Sequence, residues 1–163
     1  MSQIDLNRLV EALEPGLRVS LESAASIAAR RGHQFVDISH WLCAVVESDT
    51  NADLFQQLQI PTDKLQSEID RALDEAAIGD GEALALSQNV LTAGREAWLL
   101  ASLQDGRPKI SLLHLLLALD EDASLRSMVR AAFPSLKLMD RGALERLRTE
   151  DASQPTENRT DRV

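Results

Sequence analysis

A single cysteine, Cys43, and an aromatic content of only 3% are the first limits on this 163-residue chain. Cys43 has no second cysteine to meet, so no internal disulfide staples the fold, and stability must come from packing. The apolar content is mostly Leu, Ala, Val and Ile, which favours packed helices over a β-sandwich. Basic charge is also short: the formal net charge is −9 and the pI about 4.8, with no basic stripe. Phosphate backbones and anionic membrane surfaces would repel such a chain, so neither nucleic acid nor a membrane is expected as a partner. The amino terminus has neither a basic lead nor a long apolar stretch, which makes a reducing cytoplasm the expected compartment. No Gly-x-x-x-x-Gly-Lys-Ser/Thr loop occurs, so ATP hydrolysis of the P-loop kind is not expected of this chain, nor any cofactor within it.

What the chain does contain is one helical segment written twice. The first copy runs Leu21-Glu22-Ser23-Ala24-Ala25-Ser26-Ile27-Ala28, then Gly32, then Val36-Asp37-Ile38-Ser39-His40-Trp41-Leu42-Cys43-Ala44. The second runs Glu96-Ala97-Trp98-Leu99-Leu100, then Gly106, then Ile110-Ser111-Leu112-Leu113-His114-Leu115-Leu116-Leu117-Ala118. The spacing between His40 and His114 also pairs Gly32 with Gly106, Ala44 with Ala118 and Glu22 with Glu96, which predicts a gapless duplication. A duplicated helix, glycine turn and second helix is an architecture of the kind that binds partners.

Around this repeat the helical periodicity is regular. Ile4, Leu6, Leu9, Val10 and Leu13 predict a short first helix, broken at Glu14-Pro15-Gly16, with no counterpart before the second copy. Leu17 to Arg31 predicts a longer helix with Leu17, Leu21, Ala24, Ala25 and Ala28 on one face and Gly32 as its stop. Ser39 is expected to cap the next helix, and Asn51 or Asp53 another. Pro61-Thr62 starts a helix with Leu65, Ile69 and Leu73 inward. Glu82 to Leu86 reads as extended until Ser87 caps the helix Gln88 to Gln104, with Leu86 placed to staple onto its first turn. A last helix is expected over Arg141 to Arg148, and residues 149–163, polar and aperiodic, are expected to form a disordered linker. The expected layout is therefore an extra helix in residues 1–14, a double-repeat domain over 15–148 with repeats at about 17–60 and 88–133, and the linker.

Candidate chemistry is sparse. A zinc site would need His40 and His114 to converge with a third ligand such as His33, Asp37 or Cys43, whereas equivalent positions of pseudo-symmetric repeats usually sit apart. His40 and His114 are better read as helix-start residues whose ring nitrogen satisfies a nearby backbone group. Cys43 lies three residues after His40, but its apolar surroundings should raise its pKa and silence it as a nucleophile. Glu121-Asp122 and Asp74-Glu75 read as solvated helix-end charges, Arg30-Arg31 as last-turn cations, and Trp41 and Trp98 as core anchors. Neither a catalytic residue nor a metal ligand is expected.

The string from Leu21 to Leu42, with its degenerate second copy, resembles the amino-terminal domain of Clp/Hsp100 AAA+ unfoldases. The short first helix and the Leu13-Glu14-Pro15 junction resemble the ClpV branch, whose ATPases recycle contracted type VI secretion sheaths. The resemblance implies an all-α fold of two pseudo-symmetric repeats of about four helices each, with an extra amino-terminal helix. It also implies a hydrophobic groove that takes up a helix of the larger sheath subunit, a monomeric isolated domain, a hexameric parent, and ATP and magnesium only in an ATPase region outside this chain. The residues matching such a groove are Leu6, Leu9, Val10, Leu13, Leu17, Leu21, Leu84 and Leu86, with Asp5, Glu11 and Glu14 at its rim. On that reading Leu9→Asp abolishes peptide binding and spares the fold. The residues themselves leave core packing open for the leucines of the first two helices, and stapling open for Leu84 and Leu86. The alternative is the N-domain of a general ClpB, ClpA or ClpC type of unfoldase, which binds unfolded segments or an adaptor. A stand-alone enzyme would need a convergent polar cluster that the sequence does not offer.

Overall fold

The computed structural model describes residues 6–80 and 84–153, and of Ala152 and Ser153 the backbone only. Among them are nine α-helices and one two-stranded parallel pairing, an all-α domain of one added helix followed by four and four. The added helix is α1 (Leu6–Ala12). The first repeat holds α2 (Pro15–Arg31), β1 (Phe35–Val36), α3 (Ile38–Glu47), α4 (Ala52–Gln57) and α5 (Thr62–Glu75). The second holds β2 (Ala85–Leu86), α6 (Gln88–Leu99) with a π-helical extension over Leu100–Gln104, α7 (Leu112–Glu121), α8 (Ala123–Ala132), a 3-10 turn over Pro134–Leu138 and α9 (Arg141–Ser153).

The element boundaries follow from local chemistry. Pro15 opens α2, where its missing N–H costs nothing, and Gly32 closes it at φ 71°, a left-handed turn that a side chain would strain. Gly106 repeats that turn at φ 62°. The helices α3 and α7 are the centre of the core. Residues Ile38 to Val45 and Leu113 to Leu119 are buried in unbroken runs, because α2 and α5 cover the first helix and α6, α8 and α9 the second. The repeats join where α5 packs against α8 and the 3-10 turn. Leu65, Ile69 and Leu73 form the inner face of α5, as their spacing predicts.

The two repeats also exchange backbone pairing. Val36 pairs with Leu86, and the Ser87 N–H donates to the Val36 carbonyl at 2.9 Å. Reciprocally, Leu13 bridges Ile110, and the Glu14 N–H donates to the Ile110 carbonyl at 2.9 Å. Each repeat thus lays the residues ahead of its long helix against the residues ahead of the other's buried helix.

This pairing corrects the gapless alignment. It sets Glu14 opposite Ser87 in role, so the stretch from there to the glycine turn is one residue longer in the second repeat. The π-helical turn, in which the Asp105 N–H reaches the Leu100 carbonyl, takes up the extra residue. Along the long helices Leu17 therefore corresponds to Val90, Leu21 to Gly94, Ala24 to Ala97 and Ala28 to Ala101, while Glu22 no longer faces Glu96. Burial agrees, since all four alanines are wholly enclosed.

Three further expectations change. Asp37, not Ser39, caps α3, because its carboxylate reaches the Ile38 N–H at 2.8 Å while Ser39 already lies inside the helix. Asn51 stands at the start of α4 but its amide reaches back to the Val45 carbonyl instead of capping. The last helix continues past Arg148 to Ser153, tied by Arg107 to the Asp151 carbonyl at 2.6 Å, so Thr149 to Ser153 are not linker. Residues 154–163 lie outside the described residues.

Candidate functional site

The surface around α1 is built from a helix too short to stand alone. Its seven residues are held from one side. Leu9 seats on α6 at Gly94, and the end of the helix is tied by the Ile110 N–H to the Ala12 carbonyl at 2.7 Å and by the Lys109 Nζ to the Glu11 carbonyl at 2.7 Å. Leu9, Ala12 and Leu13 are consumed by this docking and are buried. Leu6, one turn before Leu9 on the same stripe, stays 42% exposed, and Val10, one turn on from Leu6, is half-buried.

The eight leucine and valine residues expected to line a groove therefore divide. Leu9, Leu13, Leu17 and Leu21 are core, at most 9% exposed, because the stripes at i, i+4 on α1 and α2 face inward. Leu9→Asp would bury a carboxylate and so cannot serve as a surface probe. Leu6, Val10, Leu84 and Leu86 keep open surface. Leu86 immediately precedes Ser87, the cap of α6, and Leu9 meets α6 at Gly94, so both leucine groups flank the same helix, about 10 Å apart along its axis. Of the expected acidic rim, Glu11 is exposed and Glu14 half-buried, while Ile4 and Asp5 lie outside the described residues.

Sequence reasoning missed a concave surface elsewhere on the domain. A cleft of about 330 Å³ opens between the repeats, with Leu54, Leu112, Leu113 and Leu147 on its walls and Glu14, Glu150 and Asp151 around it. Arg107, 8% exposed, spans its edge, with Asp151 at 3.7 Å and Glu14 at 4.0 Å. Four separate segments contribute, and no periodicity within any one of them marks the convergence.

The polar core groups are structural. Each repeat histidine accepts the backbone N–H of its own helix cap: Asp37 N–H to His40 Nδ1 at 2.9 Å, and Ser111 N–H to His114 Nδ1 at 3.0 Å. Both capping boxes follow the repeat, as the helix-start reading anticipated. With Nδ1 accepting, each ring carries its proton on Nε2. His40 Nε2–H donates to His33 Nδ1 at 2.8 Å, and His33 reaches the Leu73 carbonyl. His114 Nε2–H donates instead to Asp105 at 2.8 Å, and Arg148 pairs with the same carboxylate. Burial lowers the pKa of all three histidines, with Arg31 and His33 adding to the effect in the first repeat and Asp105 opposing it in the second.

Cys43 sits in the core, and burial, with Glu47 beside it, pushes its thiol up to about 11, so it is no nucleophile at neutral pH. Trp41 anchors the core through its Nε1–H to Ser20 Oγ at 2.9 Å, whereas Trp98 is only half-buried. Glu121 and Asp74 pair with arginines, and Asp122 caps α8. Among the described residues no three His, Cys, Asp or Glu side chains gather to hold a metal ion, and no helix is long and apolar enough to cross a membrane.

Among curated proteins the chain is 27% identical over 136 residues to the chaperone protein ClpB of Yersinia enterocolitica, and 26% identical over 144 residues to the AAA+ ATPase ClpV1 of Pseudomonas aeruginosa. These alignments take in 82% and 85% of this chain but only 15% and 16% of those proteins. Among solved structures, the N-terminal domain of the ClpV1 ATPase of Escherichia coli is similar at a TM-score of 0.71 and 28% identity, over 86% of both chains. A ClpV N-domain in complex with a VipB peptide shares the fold at a TM-score of 0.65 and 20% identity, over 89% of this chain and 94% of that one. The model of the Clp repeat (R) N-terminal domain matches residues 13–132, well over half of the sequence, and the chain belongs to that family.

Proposed function

We propose that this is the substrate-recognition domain of a ClpV-like AAA+ ATPase, and that it binds a helix of the larger type VI sheath subunit so that contracted sheaths are disassembled and recycled. The observation that carries the reading is α1: a short helix seated on α6 through Leu9 that leaves Leu6 exposed and Val10 half-open, with Leu86 partly open at the start of the same α6. An amphipathic ligand helix laid along this strip covers apolar surface that the domain itself leaves open. Glu11 and Glu14 favour a basic or polar edge on that ligand. Modest affinity suits handover to a motor, whose ATP and magnesium belong to an ATPase region outside this chain. The isolated domain acts as a cytoplasmic monomer with no catalytic step of its own, and the full-length parent as a hexamer.

Calorimetric titration against the amino-terminal helical peptide of the larger sheath subunit tests this. Micromolar binding that is lost on Leu6→Asp and Val10→Asp, with the melting temperature retained, supports it. A folded wild type that takes up no peptide overturns it.

A second reading is the N-domain of a general unfoldase, favoured by the cleft between the repeats, where apolar walls meet three carboxylates. Unfolded segments with basic residues would bind there, and Leu6→Asp would leave their binding intact.

A further inference from the structure

The contact between Leu9 and Gly94 is the place where the added helix meets the repeat, and it exists because the two repeats differ. The reciprocal pairing of Glu14 with Ile110 and Ser87 with Val36 makes Gly94 the counterpart of Leu21. Leu21 fills its own surroundings in the first repeat and is 9% exposed. The second repeat has no side chain at that point, and Leu9 occupies the space. A Cβ added to Gly94 would stand 2.9 Å from Leu9 Cδ2 and 3.4 Å from Cδ1, so something must shift. The atoms met are the end of the Leu9 side chain, itself 4% exposed, so the group that must move is the buried anchor of α1.

Other ties to α1 sit at its carboxyl end, on Glu11, Ala12 and Leu13. Leu6 lies one turn before Leu9 on the same stripe, so the seat that Leu9 takes on α6 bears on the place of Leu6. We propose that Leu9 and Gly94 form a latch that sets the pose of α1, which makes Gly94 a positioning residue for the peptide-docking strip. The proposal rests on the reading of that strip as the docking face.

Alanine is the better helix former, so Gly94→Ala at an indifferent site would strengthen α6. The latch predicts the opposite sign where it matters. In the full chain, amide hydrogen exchange of residues 7–12 should speed up by about tenfold in Gly94→Ala, the effect of overpacking one methyl group, while α3 and α7 keep their protection. Sheath-peptide affinity should fall by a similar factor. Leu9→Val in the Gly94→Ala background hands the added carbon back, and should restore both to within about threefold of wild type. Unchanged protection of residues 7–12 in Gly94→Ala overturns the latch, and so does a loss that Leu9→Val fails to repair. If wild-type protein binds no peptide, the docking reading falls, while the exchange data still decide whether the latch exists.

Discussion

The two repeats carry the same histidine in the same capping box but give it different company. In the first, His40 donates to a second neutral imidazole, His33, which ends on a backbone carbonyl. In the second, His114 donates to Asp105, which also holds Arg148 of α9. One repeat closes its turn with neutral groups and the other with an ion pair that reaches the last helix. A duplicated sequence therefore fixes the cap and leaves the far side of the ring free to diverge, and that far side is where each repeat ties in its own neighbours.

Where the repeats agree, equal damage is expected. Leu42 and Leu116 are equivalent, each 1% exposed, and Leu42→Ala and Leu116→Ala should each cost about 2–5 kcal/mol in urea unfolding. A difference beyond about 2 kcal/mol between them would mean that one half of the core relaxes around its cavity and the other does not.

Where they diverge, the damage should be unequal. Asp105→Ala takes the acceptor from the buried His114 Nε2–H and leaves Arg148, whose side chain is 14% exposed, with Glu145 alone, and should cost about 3 kcal/mol. His33→Ala removes a neutral partner and should cost about 1–2 kcal/mol. Equal losses in thermal unfolding would erase the distinction between ion pair and neutral chain.

Acid sharpens the same contrast. All three histidines are held below their ordinary pKa of 6.5, so the unfolded chain takes up protons that the fold refuses. Stability is complete above that pKa and is lost as pH falls beneath it, by up to about 1.4 kcal/mol per pH unit for each histidine. His33→Gln should flatten this limb in a pH series of denaturation curves, because it removes one refused proton and one cationic neighbour of His40. Smallest of all, Gly32→Ala and Gly106→Ala should each cost about 1 kcal/mol, and equally, because both turns share the left-handed conformation.

The sequence disclosed the repeat, the glycine turns and the helix-start histidines because each is a local signal: a helical period, a glycine at a helix end, a histidine where an apolar run begins; the cap Asp37 was missed for Ser39 two residues on. Leu65, Ile69 and Leu73 were legible for the same reason. The docking strip was only half legible. Leu6 and Leu9 belong to one apolar stripe, and nothing within seven residues of helix tells which of them meets α6; the answer lies in the missing side chain of Gly94, far along the chain. The one-residue slip of the long helices was hidden too, since alanine-rich segments align almost as well in either register. The inter-repeat cleft depends wholly on tertiary convergence.

Arg107 has a mechanical meaning. It holds the Asp151 carbonyl near the end of α9 at 2.6 Å and stands 4.0 Å from Glu14 at the start of α2, so the junction after α1 and the last helix meet at one guanidinium. Force applied at α1 against a hold at α9 would load that clasp and the short backbone pairing beside it before stretching α3 or α7. Tension would run along the edge of the domain, and the interior could stay folded while its ends bear the strain.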